Sequence, residues 1–170
     1  GTGRKYLPEI MGAGGAVLDY DGDGWMDLYL VQSGYLPGSE TEVDAGGNRL
    51  FRNRGDGTFE DVSEKSGTSG PWYSMWVSVG DYNNDGFSDL FLSNYGRNVL
   101  LVNKGDGTFV KVEMENLGGA IWMDCADFDH DGLSDLFISN GYYKDITDKD
   151  YLNYSKNLTM FKSVELSDSA

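Results

Sequence analysis

The sequence predicts an all-β fold: propeller blades made of antiparallel four-stranded sheets, about two and a half of them, followed by a short C-terminal helix. Three observations carry this expectation. An aspartate-rich loop occurs three times, a Gly-Asp-Gly-Thr-Phe hairpin alternates with it, and short alternating apolar runs flank both. The 24 glycines against 3 prolines agree with many turns and little helix.

The aspartate loops read DYDGDGWMDLYLV from Asp19, DYNNDGFSDLFLS from Asp81 and DFDHDGLSDLFIS from Asp127. The hairpin motif reads NRLFRNRGDGTF from Asn48 and NVLLVNKGDGTF from Asn98. The loops recur after 62 and 46 residues and the hairpins after 50, spacings that indicate stacked supersecondary units built of strands. The blades are placed at about 12–66, 72–113 and 118–141, the last incomplete because no further GDGTF follows Asn140-Gly141. Residues 1–141 then form the blade region and 142–170 a tail.

The first loop brings Asp19, Asp21, Asp23 and Asp27 within nine residues, with Gly24 at the bend. Like charges at this density repel unless a cation sits among them. Side chains at positions 1, 3 and 5 converge, Gly at 6 reverses the loop, and the carbonyl at 7 is expected to turn inward before Asp at 9 closes the shell. About six or seven oxygen ligands result, a set that suits Ca²⁺ better than Mg²⁺. The predicted ligands are Asp19, Asp21, Asp23, Trp25 and Asp27; Asp81, Asn83, Asp85, Phe87 and Asp89; and Asp127, Asp129, Asp131, Leu133 and Asp135. Asn83 removes one charge, so the second loop is expected to bind more weakly than the others. An EF-hand is excluded because its position-12 Glu is replaced by Leu30, Leu92 and Ile138, inside runs that read as strands.

Within the first hairpin lies Arg54-Gly55-Asp56, the tripeptide that integrins recognise. Its counterpart in the next repeat begins with Lys104 while the surrounding N-[RK]-G-D-G-T-F is kept. The tripeptide therefore reads as a repeated tight turn of two residues, whose Asp-Gly supplies positive φ.

These loops and hairpins resemble FG-GAP/VCBS repeats, the calcium-bearing blades of integrin-α-type propellers. Residues 6–34, YLPEIMGAGGAVLDYDGDGWMDLYLVQSG, are similar to the propellers of the cartilage acidic protein (ASPIC-type) group and its bacterial relatives, and the segment 138–154 resembles a stretch found after a blade in such bacterial proteins. The resemblance implies an exported, calcium-binding, mostly non-catalytic propeller used for adhesion or assembly. It carries the calcium ligands over to the same aspartates and Asn83. This chain departs from the pattern in its uneven spacing, its shortened third blade and the absence of a following ASPIC-type module.

Charge and composition narrow the functions. A formal net charge of −15 repels nucleic acid and anionic lipid. No apolar stretch approaches the ~20 residues that a membrane helix needs. Loops of the extracellular kind bind calcium at roughly 10⁻⁴–10⁻³ M, which places the chain outside the cytoplasm. Since a propeller closes with about 4–8 blades, two and a half require a longer chain, self-assembly or a protein partner. A glycan is a second candidate ligand, and a calcium-dependent carbohydrate-binding or polysaccharide-degrading domain is the alternative function. Catalysis finds little support, because the single His130 and single Cys125 stand in unsuitable settings.

Some features admit two readings. Trp72, Tyr73, Trp76 and Trp122 form either a ligand platform or, as we favour, packing between blades. Asp124 takes the column of Ala16 and Ser78 and so lines a channel or a metal shell. Cys125 shares the column of Val17 and Val79, which predicts a buried thiol, whereas His130 at loop position 4 points to solvent. In the tail, Thr147 reads as the N-cap of a helix over 148–161, and Asn153 and Asn157 match glycosylation sequons.

Overall fold

The structure, a computed structural model, describes residues 14–33, 47–114 and 120–140. Strands β1 (Gly15–Leu18), β2 (Asp27–Leu30), β3 (Arg49–Asn53) and β4 (Phe59–Asp61) pair in sequence order into one antiparallel sheet, blade 1. Strands β5 (Ser74–Gly80), β6 (Asp89–Asn94), β7 (Val99–Asn103) and β8 (Phe109–Glu113) repeat this order as blade 2. Strands β9 (Ala120–Ala126) and β10 (Asp135–Asn140) pair as the described part of blade 3. The three aspartate loops therefore join the first two strands of each blade. Leu30, Leu92 and Ile138 lie in strands β2, β6 and β10, where an EF-hand would have helix.

The strand pattern determines how the blades stack. Side chains alternate across a sheet, so β6 sends Leu90 and Leu92 to one face and Phe91 to the other. Leu90 and Leu92 join Val77, Val99 and Leu101 of blade 2 against Tyr29, Val31 and Leu50 of blade 1. On the opposite face Phe91 and Leu100 pack with Tyr82, Val102 and Val112. Apolar residues thus cluster on both faces of blade 2, and all six residues of β6 are buried. Each such Leu contributes about 1.5–3 kcal/mol by leaving water. The innermost strands lie side by side, β1 by β5 and β5 by β9. These are propeller blades.

One element has no counterpart in the sequence reading: a single helical turn, α1 (Ser63–Ser66), closes blade 1. Asp61 Oδ1 accepts the Ser63 N–H at 3.0 Å, and Gly67 ends the turn in the left-handed region at φ 75°. Ser63 Oγ accepts the Leu50 N–H at 2.9 Å, tying the turn to β3. The tail helix expected over 148–161 and the sequons at Asn153 and Asn157 lie outside the described residues.

The hairpins differ from the expected two-residue turn. The Arg54 N–H donates to the Thr58 carbonyl at 3.0 Å, so three residues, Gly55-Asp56-Gly57, form the arch. Lys104 and Thr108 repeat the bond at 3.0 Å. Both glycines of each arch have positive φ, and Asp56 Oδ1 accepts the Thr58 N–H and hydroxyl. Arg54 pairs with Glu60 at 3.0 Å. Both ends of the Arg-Gly-Asp triplet are occupied inside the hairpin, and the triplet is a turn.

Candidate metal-binding loops

The three loops share one hydrogen-bond plan. At position 1, Asp19 accepts the N–H groups of Asp23 and Gly24 at 3.1 and 2.9 Å, one on each carboxylate oxygen. Asp81 does the same for Asp85 and Gly86, and Asp127 for Asp131 and Gly132. The position-5 carboxylates of Asp23, Asp85 and Asp131 each accept the position-7 N–H, from Trp25, Phe87 and Leu133, at 2.9 Å. Position 3 leans on the position-5 N–H: Asn83 Oδ1 at 3.1 Å, Asp129 Oδ1 at 3.2 Å and, at the limit of a bond, Asp21 Oδ1 at 3.4 Å.

Backbone shape explains two sequence positions. Glycines 24, 86 and 132 at position 6 have φ of 88–89°, with open space around each, so the backbone and not crowding requires glycine. Position 4 is left-handed as well: Gly22, Asn84 and His130 have φ of 72°, 59° and 61°. Glycine and asparagine at a shared column are the signal that would have revealed this. His130 is exposed, as expected.

Position 9 does more than close a ligand shell. Asp27 and Asp89 are buried, with 0% and 1% exposure. Asp27 Oδ2 accepts the Tyr20 N–H at 3.1 Å and Oδ1 the Asn53 N–H at 2.7 Å. Asp89 repeats this with Tyr82 at 2.9 Å and Asn103 at 2.8 Å, and Asp135 takes Phe128 at 2.9 Å. Burial pushes the carboxyls of Asp27 and Asp89 above the usual range, and the backbone N–H groups oppose that rise. In blades 1 and 2 this aspartate is thus a clamp between its loop and the third strand.

The loops bring carboxylates into cation-binding range. Ligand oxygens of Asp19, Asp21 and Asp27 lie within 4.8 Å of one another, as do those of Asp127, Asp129 and Asp135. Position-5 Asp23 and Asp131 fall outside those groups. In loop 2 the amide oxygen of Asn83 replaces one carboxylate. The donors are all hard oxygens, which matches calcium. A positive group already answers the first loop: Arg52 Nε lies 2.6 Å from Asp21 Oδ2 and Arg52 Nη2 lies 2.8 Å from Asp23 Oδ2. The sequence reading missed Arg52 because its partners lie some thirty residues away in the chain.

Loops of neighbouring blades are connected. The Asn103 amide donates to the Tyr20 carbonyl of loop 1 at 2.8 Å and to the Ser88 carbonyl of loop 2 at 3.2 Å. Its oxygen accepts the Gly105 N–H at 2.9 Å. Asn84 in turn accepts the Ser134 N–H of loop 3 at 2.8 Å. At position 7, Trp25 lies over Gly55 and Phe87 over Gly105, where a Cβ would overlap the ring. A cleft of about 400 Å³ between blades 1 and 2 has Arg52, Lys65 and Asp106 in its walls.

Of the remaining candidates, Tyr73 is buried and meets Tyr95 edge-on at 6.2 Å, while Trp72 packs over Gly70. Trp76 is 49% exposed and borders Gly14 across the blade boundary. The side chain of Trp122 lies outside the described residues. Asp124 is exposed on β9. Cys125 pairs with Leu136, matching Val17 with Leu28 and Val79 with Leu90. In that column Val17 is 59% exposed and Val79 packs partly buried against the core, while the side chain of Cys125 lies outside the described residues.

The FG-GAP-like repeat family matches residues 19–92 and again 81–138, covering all three loops. No curated protein matches the chain. FG-GAP repeats are typically extracellular binding modules, generally non-catalytic, and often bind Ca²⁺. No helix among the described residues is long and apolar enough to cross a membrane. With its blades, its strand-joining aspartate loops and these matches, the chain belongs to the FG-GAP-like repeat family.

Proposed function

We propose that this chain is a calcium-stabilised, exported binding and assembly module whose three loops each hold one Ca²⁺. The observation that carries the reading is the repeated oxygen-only loop, whose first-position carboxylate accepts two backbone N–H groups in every blade. The ligands are Asp19, Asp21, Asp23, Asp27 and the Trp25 carbonyl, with the matching positions of loops 2 and 3. The cation's work is structural: it offsets carboxylate repulsion and stabilises the folded state by binding it alone. The blades serve protein or cell-surface adhesion without catalysis, in the manner of the ASPIC-type propellers that residues 6–34 resemble.

Calorimetric titration of chelator-treated protein with calcium tests the reading. Binding at roughly 10⁻⁴–10⁻³ M with a rise in melting temperature is expected. No binding heat and an unchanged melting curve would sink it. Light scattering in calcium and in chelator then shows whether the blades assemble with one another.

A further inference from the structure

The three loops are alike in sequence and unlike in surroundings. Loop 1 carries four aspartates and so does loop 3, while loop 2 carries three and Asn83. By formal charge alone, loops 1 and 3 would bind a divalent cation equally and loop 2 more weakly. The structure breaks that equivalence at Arg52.

Arg52 lies in β3, the third strand of blade 1, and its side chain reaches the loop between β1 and β2. Its planar guanidinium spans two carboxylates, 2.6 Å from Asp21 and 2.8 Å from Asp23. Asp21 and Asp23 side chains are 16% and 26% exposed, so water screens these pairs only partly. The column that holds Arg52 in blade 1 holds Val102 in blade 2, between matching Phe51/Leu101 and Asn53/Asn103 neighbours. Among the described residues no Lys or Arg forms an ion pair with loop 2 or loop 3. Among the described residues, blade 1 alone therefore carries a built-in cation at its loop.

We propose that Arg52 acts as a resident counter-ion that weakens calcium binding at loop 1 and holds that loop in shape when calcium is absent. The proposal rests on the calcium reading above and refines it. With Arg52 present, loop 1 offers a net charge of −3 to the metal (four carboxylates, one guanidinium), the same as loop 2 with three carboxylates. Among the described residues no cation offsets the −4 of loop 3, which makes it the tightest site. The guanidinium takes one oxygen from each of Asp21 and Asp23, so calcium competes with it for those carboxylates. Blade 1 thus stays ordered at calcium concentrations that leave its loop empty, and the metal dependence of the module lies in blades 2 and 3.

Trp25 makes loop 1 separately observable, because loops 2 and 3 carry Phe87 and Leu133 at that position. Terbium, a luminescent calcium substitute, is titrated into chelator-treated protein, and the tryptophan-sensitised signal that Trp25→Phe abolishes is assigned to loop 1. Arg52→Val installs the residue blade 2 already accommodates, so the sheet tolerates it. The variant is expected to bind terbium at loop 1 about tenfold more tightly, through loss of one positive charge at contact distance. In chelator, the loop 1 amides of the variant are expected to exchange hydrogen faster than those of the parent. Unchanged or weakened loop 1 binding, with calcium still binding elsewhere, would overturn the role of Arg52 and leave the calcium reading intact. Failure of parent and variant alike to bind either ion at any loop would overturn both. Arg52→Lys, which keeps the charge without the two-pronged geometry, is expected to stay closer to the parent than to Arg52→Val.

Discussion

The side-chain amide of Asn103 donates a 2.8 Å hydrogen bond to the carbonyl of Tyr20, 83 residues earlier in the chain and in the neighbouring blade. The same residue holds Asp89 of its own blade through its backbone N–H and caps Gly105 with its side-chain oxygen. One buried asparagine thus joins the loop of blade 1, the loop of blade 2 and the hairpin of blade 2. Asn53 holds the matching place in blade 1, bonded to Asp27, Met26 and Gly55, but is only half-buried.

Asn103→Ala is therefore expected to cost about 2–4 kcal/mol, since it strands buried carbonyls and a glycine N–H. Asn53→Ala is expected to cost about half of that, because solvent reaches its partners. Urea unfolding of both variants in chelator makes the comparison. Equal losses would show that the bond between blades adds nothing.

The clamp and the ligand roles of the aspartates separate by position. Asp89→Ala leaves the Tyr82 and Asn103 N–H groups unpaired beneath the loop, and is expected to cost about 2–5 kcal/mol in chelator as well as in calcium. Asp85→Ala removes an exposed carboxylate and is expected to cost under about 1 kcal/mol in chelator. Its effect should appear as weaker calcium binding instead. Melting curves with and without calcium resolve the two patterns.

Gly105 is constrained twice, by φ of 70° and by the Phe87 ring that occupies its missing side chain's place. Gly105→Ala is expected to destabilise blade 2 by about 2–3 kcal/mol. Adding Phe87→Leu, the residue type at position 7 of loop 3, should return about 1 kcal/mol by relieving the overlap but not the backbone strain. A double-mutant cycle measures that coupling.

Tyr29 has no exposed surface, and its hydroxyl donates to the Thr68 carbonyl at 3.1 Å. Burial raises its phenol pKa far above the ordinary 10.0. Above that pH the unfolded chain loses the proton while the folded chain keeps it, so stability is fully present below pH 10.0 and falls as pH rises further. Tyr29→Phe is expected to be weaker than the parent by about 1–2 kcal/mol at neutral pH, from the lost hydrogen bond. The difference should narrow at about pH 11, because the variant escapes the ionisation penalty. Urea unfolding at the two pH values decides it.

The repeats made the blade architecture readable in advance, because a strand-loop-strand unit writes its period, its glycines and its alternation into adjacent residues. Asp19, Asp81 and Asp127 stood out for the same reason: each bonds N–H groups only four and five residues away. The hairpin's place was equally plain, although its length was not, since three-residue and two-residue arches both use Asp-Gly. What pairing across the sheet decides was hidden. Asp27 looked like a ligand alone until β3 brought the Asn53 N–H to 2.7 Å. Nothing in the sequence singled out Arg52 until the same strand pairing laid it across Asp21 and Asp23. Local geometry is encoded by neighbours in the chain. The burial of Asp89, the blade-to-blade bond of Asn103 and the charge balance of loop 1 depend on residues that only folding makes neighbours.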